Sequence, residues 1–167
     1  MQRILVIGCS GGGKSTLARK LGQRLDIPVI PLDSIWWQPG WVPLGHEKLR
    51  PLVEKMVAEE SWIIDGNFPD TFPKRLARAD TVIWIDRPRL VNFARAFGRF
   101  LKLRGTVREE MGEGCPEKFD LEFARYIWTY NREVAPRMAA LIRQHGSHTE
   151  VVRLRKDSEI AEFLEAI

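Results

Sequence analysis

Residues 4–25 read as a strand, a glycine-rich turn and a helix, with nothing between them. Ile4-Leu5-Val6-Ile7 is a continuous apolar run rich in β-branched residues, the pattern of a strand buried on both faces. Leu17, Leu21 and Leu25 recur at helical spacing with Arg and Lys between them, an amphipathic helix that starts near Lys14. The turn that joins them, Gly8-Cys9-Ser10-Gly11-Gly12-Gly13-Lys14-Ser15, matches G-x-x-x-x-G-K-[ST]. Glycines let a backbone curl around an anion with no Cβ in the way, and consecutive N–H groups at a helix N-terminus cradle phosphate. Gly8, Ser10, Gly11, Gly12, Gly13, Lys14, Ser15 and Thr16 are therefore the expected nucleotide-phosphate contacts. Lys14 would bridge the terminal phosphates and the Ser15 hydroxyl would ligate Mg²⁺. A glycine-rich turn without nucleotide is the plain alternative, and the strand–helix context argues against it.

The remaining periodicity repeats the alternation. Strands are expected at 28–30, 62–64, 81–85 and 150–154. Helices are expected across Leu49–Val57 and over 72–78, 89–104, 119–144 and 158–166. Strands alternating with helices predict an α/β fold with a parallel sheet covered on both faces. The 167 residues make one domain, residues 1–167, with no linker or repeat. Hydrophobic residues at 44% and charged residues at 29% exclude a disordered chain. Net charge is +4, a mild excess that an anionic small molecule explains as well as nucleic acid does. Cys9 and Cys115 are far apart and form no C-x-x-C pair, so a reduced, cytoplasmic protein is expected. No apolar stretch approaches the ~20 residues of a bilayer span.

Residues 105–118 break the rhythm with three glycines, a proline and mixed charge, and are expected to be a lid between two long helices. Arg99, Arg104 and Arg108 approach and enter it. Guanidinium groups there would complement the charge of a transferring phosphoryl group, although a solvated basic helix face explains them too. Two strands end in an acid, Asp65 and Asp86, and either stands where a Mg²⁺ shell is held from the carboxyl end of a sheet; turn formation or helix capping is the alternative for both. The metal set carried forward is Ser15 and Asp65. Asp33 follows a short strand and precedes Trp36, Trp37 and Trp41. Its carboxylate is a candidate general base for an acceptor hydroxyl, or an N-cap. The tryptophans either stack on an acceptor or belong to the core. His46, His145 and His148 show no metal-ligand spacing and read as surface residues.

With these residues in view, the chain resembles the P-loop kinases of the nucleoside monophosphate kinase group, adenylate kinases in particular. Asp65-Gly66-Asn67-Phe68-Pro69-Asp70-Thr71 is similar to that group's DGFPRT segment, and Asp86-Arg87-Pro88 to its D-x-P segment. The resemblance implies a three-layer P-loop fold with a five-stranded parallel sheet in order 2-3-1-4-5. It also implies an arginine on the adenine at Arg95, an arginine on the phosphates at Arg99, and Tyr130 and Pro136 on the long helix after the lid. Essentially the whole chain resembles, more narrowly, the bacterial family of DNA topology modulation proteins, adenylate kinase-like in kind. The matching strings are Leu32-Asp33, Trp36-Trp37-Gln38-Pro39-Gly40-Trp41, Trp62-Ile63-Ile64-Asp65-Gly66-Asn67 and Met111-Gly112-Glu113-Gly114-Cys115-Pro116-Glu117.

Adenylate kinases hold the acceptor phosphate with an arginine where this chain has Trp36. They use another in DGFPR, where it has Pro69 or Asp70, with Lys74 and Arg75 only nearby. An arginine expected after the lid falls at Tyr126, beside Arg125. The acceptor pocket is thus expected around Asp33, Trp36, Trp37, Asn67 and Arg75. The reaction expected is Mg·ATP-dependent transfer to a small-molecule acceptor, either a hydroxyl or a phosphate. The alternative is a nucleic-acid-associated P-loop ATPase that modulates DNA topology, although no helix-turn-helix, zinc-finger or RNA-binding signature is present. Neither N-K-x-D nor D-x-x-G occurs, which argues against a GTPase.

Overall fold

A computed structural model describes residues 1–108 and 110–167; residue 109, inside the expected lid, lies outside the described residues. The chain runs β1 (Arg3–Gly8), α1 (Lys14–Leu25), β2 (Val29–Pro31), α2 (Leu32–Trp36), β3 (Trp37–Gln38), β4 (Val42–Pro43) and α3 (His46–Ala58). It continues as β5 (Trp62–Asp65), α4 (Phe72–Leu76), β6 (Thr81–Ile85), α5 (Arg89–Leu103), α6 (Leu121–His145), β7 (Glu150–Leu154) and α7 (Asp157–Glu165). Five strands pair in parallel in the order β2-β5-β1-β6-β7. Numbered among themselves these strands run 2-3-1-4-5, the expected P-loop arrangement.

Strand alternation builds the two outer layers. Leu5 and Ile7 of β1 face Val53, Val57, Phe72 and Met138, on α3, α4 and α6. Ile4 and Val6 face Leu17, Leu21 and Leu164, on α1 and α7. Trp62 of β5 and Trp84 of β6 are buried in the first of these layers, so two of the tryptophans are core. A third cluster joins Cys9 to Ala96, Ile127 and Tyr130 between α5 and α6, where the Cys9 thiol is a small apolar filler. Burial pushes that thiol up to about 11. No helix of the described residues is long and apolar enough to cross a membrane.

The segment after β2 differs from expectation. Leu32–Trp36 form the short helix α2, and Trp37-Gln38 pairs antiparallel with Val42-Pro43 as a hairpin, strands too short for hydrophobic periodicity to register. Against this hairpin lies the later part of the expected lid. Gly40 N–H donates to the Gly114 carbonyl (3.0 Å), and Trp41 Nε1 to that of Pro116 (3.2 Å). Cys115 Sγ is 3.2 Å from the Gln38 carbonyl oxygen, and a Cβ on Gly112 would stand 2.1 Å from that of Trp37. The Trp36–Trp41 and Met111–Glu117 strings are therefore the two halves of one contact.

Gly112→Ala should force these halves apart, since the Cβ meets backbone rather than a flexible side chain. Protease cleavage within residues 105–118 is expected to quicken about tenfold, the effect of roughly 1.4 kcal/mol on a local opening equilibrium. The melting temperature should stay close to that of the parent.

Candidate functional site

The turn after β1 takes its shape from close backbone approaches. Gly8 (φ 144°) lies so near β6 that a Cβ would stand 2.4 Å from the Ile85 carbonyl oxygen, and one on Gly11 (φ 83°) would stand 2.1 Å from that of Asn92. Gly13 caps α1 with no side-chain hydrogen bond, which leaves the first amides of the helix for an anion. Ser10, Gly11, Gly13, Lys14, Ser15 and Thr16 line a cavity of about 830 Å³ at the carboxyl end of the sheet; Gly8 and Gly12 form the backing of the loop and do not line it.

Arg87 braces this loop from behind and was missed by the sequence reading, which took only the acid and the proline from Asp86-Arg87-Pro88. It is buried, and its Nε donates to the Gly12 carbonyl (2.9 Å) while Nη2 reaches Asp157 Oδ1 (2.6 Å). Arg95 Nη2 donates to the other oxygen of Asp157 (2.5 Å). Arg95 thus sits beside the β7–α7 turn and does not line the cavity.

Asp65 ends β5 and accepts a hydrogen bond from Ser15 Oγ (2.6 Å). Its other oxygen, Oδ1, is buried and has no hydrogen-bond partner among the described residues. Burial pushes this carboxyl above the ordinary range; Lys14 and the Ser15 hydroxyl pull it down, and Asp33 and Glu110 push it up. A hydroxyl, a carboxylate with an orphaned oxygen and room for phosphate make a hard-oxygen set that fits Mg²⁺, which takes one or two carboxylates plus substrate oxygens. Among the described residues no group of three or more His, Cys, Asp or Glu could hold a metal alone. Asp86, the other strand-ending acid, lies 3.5 Å from Arg155 instead.

Asn67 is the hinge of the site. Its Oδ1 accepts from Gly8 N–H (3.0 Å), and its Nδ2 donates to the Gly8 carbonyl (2.9 Å) and to the Tyr126 hydroxyl (3.1 Å). Tyr126 holds the position where an arginine was expected; burial raises its phenol and that of Tyr130. On the far wall Glu117, buried, accepts from Arg99 Nε (2.7 Å) and Arg108 Nε (2.6 Å), and its own N–H donates to the Thr106 carbonyl (2.8 Å). Arg99 and Arg108 both line the cavity, as do Asp33, Trp36, Trp37, Trp41 and Asn67. Glu117 belongs to the Met111–Glu117 string, and its spacing carried no sign of the pairing.

Besides Arg95, Arg104 and Arg75 also lie outside the cavity. Arg104 is exposed at the end of α5, outside the cavity, where its backbone forms an isolated bridge with Glu117. Arg75 is fully buried beneath the turn after β5. Its guanidinium donates to the carbonyls of Gly66 (2.9 Å), Asn67 (2.5 Å) and Phe68 (3.0 Å), all of them C=O groups that no strand pairs. Burial pushes it down to about 9, so it keeps its charge at neutral pH but spends it on the backbone. Lys74 is tied to Glu54 (2.7 Å) and Asp70 to Arg50 (2.8 Å), both on the outer surface.

No family model matches the chain, and no curated protein does. Solved structures do. Shikimate kinase from Bacteroides thetaiotaomicron superposes with a TM-score of 0.55 at 17% identity, covering 99% of this chain and 95% of that one. Shikimate kinase from Acinetobacter baumannii, in complex with shikimate, superposes at 0.61 with 13% identity, covering 99% and 90%. The likeness shows the fold.

Arg75→Met should destabilise the protein by about 3 kcal/mol or more, because three carbonyls lose a charged donor in a dry site; chemical unfolding measures it. Asp65→Asn should act the other way in the absence of nucleotide. A carboxyl raised by burial contributes stability below the ordinary carboxylate range, and that contribution is lost as pH rises through its folded value. The amide removes this loss, so the variant should melt above the parent at pH 7, with the gap closing as pH falls towards 4.

Proposed function

We propose that this protein is a Mg·ATP-dependent kinase that transfers the γ-phosphoryl group of ATP to a hydroxyl of a small molecule. The observation that carries the reading is one cavity lined at once by Lys14 and Ser15 of the phosphate loop, by Arg99 and Arg108, and by Asp33. In this reading each has its own task. The loop amides and Lys14 hold the phosphates, and Ser15 with Asp65 would hold the metal. Mg²⁺, when bound, supplies positive charge against the phosphate oxygens. Glu117 fixes the two guanidinium groups at the cavity wall before substrate arrives, so that they face the developing charge without reorganisation. Asp33 takes the proton that the acceptor hydroxyl loses as its oxygen bonds to phosphorus.

The hydroxyl reading rests on what surrounds Asp33. A carboxylate assists a group that must shed a proton and repels one already ionised. Trp36 stands where a phosphate-holding arginine is expected, Arg75 is committed to backbone carbonyls and Lys74 to Glu54. The structural neighbours add support, since kinases of this fold include one bound to shikimate, a small molecule. The closed hairpin–lid contact would exclude water from the reacting groups.

ADP release from MgATP, followed across a panel of small hydroxyl compounds and nucleoside monophosphates, tests the proposal. Lys14→Ala should lower turnover by about 10²-fold or more with the fold intact, since the transferring group loses a fixed cation. Asp33→Asn should lower kcat rather than raise KM. Parental turnover in Lys14→Ala would remove the kinase reading. Efficient AMP phosphorylation undiminished in Asp33→Asn would replace the hydroxyl acceptor with a phosphate.

A further inference from the structure

The two ends of the cavity differ in the charge they leave uncompensated. At the nucleotide end Lys14 donates to the Cys9 carbonyl (3.3 Å) and lies close enough to Asp65 to lower its carboxyl, and among the described residues it forms no ion pair, so its charge is available to phosphate. Arg99 and Arg108 lie opposite, held by Glu117. At the acceptor end the balance is reversed. Asp33 and Glu110 line the cavity, and neither has a hydrogen-bond or ion-pair partner among the described residues. Both lie close enough to Asp65 to push its carboxyl upward. The cations nearby are already engaged, Lys118 by Asp120 (2.9 Å) and Arg19 by a contact of its own.

Around these carboxylates stands an aromatic wall. Trp36 and Trp37 meet edge to face at 6.3 Å, Trp37 and Trp41 at 5.5 Å, and Trp36 and Phe68 at 5.6 Å. Trp36, Trp37 and Trp41 all line the cavity, and the quadrupole of an indole ring attracts positive charge to its face. The wall already receives one cation in this way: the Lys118 ammonium lies 4.8 Å from the centre of the Trp41 ring. Indole faces combined with unpartnered carboxylates form a surface that repels a carboxylate or phosphate and attracts an ammonium group.

Resting on the kinase reading above, we infer that the acceptor is a cationic alcohol, an amine or quaternary ammonium compound whose hydroxyl reaches Asp33 while its charged end lies among Trp36, Trp37 and Glu110. In the transfer the alcohol oxygen bonds to the γ-phosphorus, the bond from that phosphorus to the bridging oxygen of ADP breaks with its electron pair leaving on ADP, and the hydroxyl proton passes to Asp33. The product carries both signs of charge. Arg99, Arg108 and Lys14 face its phosphoryl half and the aromatic wall its cationic half.

Choline and 3,3-dimethylbutan-1-ol have the same shape and differ in one charge, and 3-hydroxypropionate supplies the opposite sign. Their binding to the full chain with MgADP, followed by tryptophan fluorescence and calorimetry, reads the inference directly. Choline should bind about tenfold or more tighter than its neutral isostere, the effect of a desolvated cation–π contact. Glu110→Gln and Trp37→Leu should each reduce that ratio. Equal binding of the two alcohols, no binding of either, or tighter binding of the hydroxy acid overturns the inference. ADP release with the same compounds separates this failure from that of the kinase reading. Transfer to the neutral or acidic alcohol in preference to choline keeps the kinase and removes the cationic acceptor. Selective choline binding without transfer to any acceptor keeps the cation site and removes the kinase.

Discussion

Where the strands of a parallel sheet stop, their last peptide groups need partners that no neighbouring strand supplies. In this protein the side chain of Asn67 satisfies both backbone groups of Gly8, the residue at which β1 becomes the phosphate loop. The same amide reaches Tyr126, and Tyr130 O–H donates back to it (3.3 Å), so one side chain joins β1, the turn after β5 and α6. Arg75 completes the arrangement from below by holding the carbonyls of the Asn67 turn itself. The cavity walls are therefore fixed relative to one another by buried hydrogen bonds, and the side chains that line the cavity inherit that rigidity.

How legible all this is in the chain depends on the range of the interaction. β1, the glycine turn and α1 follow from periodicity and local chemistry alone, as does the alternation that implies a parallel sheet. Asp65 could be named because it ends a strand, yet only the structure brings it, rather than Asp86, to Ser15. The pairing of Glu117 with Arg99 crosses a lid, and that of Arg87 with Gly12 joins residues far apart in the chain. No spacing rule encodes either. Arg75 misleads for a related reason: a basic residue near a candidate pocket reads as a ligand contact, and its commitment to backbone carbonyls depends on burial that sequence does not display.

The tryptophans illustrate a different limit. Trp62 and Trp37 are the same residue type, but one completes a sealed layer and the other sits in a hairpin whose backbone meets Gly112. Composition offers no way to sort them. Topology does, because Trp62 lies on a strand flanked on both sides in the sheet, whereas Trp37 lies on a two-residue strand with one partner. The hairpin lies outside the sealed layers, and Trp36, Trp37 and Trp41 line the cavity there.

The double grip of Arg87, on Gly12 of the phosphate loop and on Asp157 of α7, joins an early part of the chain to a late one. During synthesis β1, the loop and α1 emerge first and find their sheet neighbours β5 and β6 well before β7 and α7 exist. Arg87 needs only β6 in place to reach Gly12, and its second anchor comes when Asp157 has left the ribosome and the final parallel strand has zipped onto β6. A nascent chain can thus assemble most of its sheet, and the glycine loop with it, while Arg87 is anchored at one end alone, and the double grip arrives as one of the last events of folding.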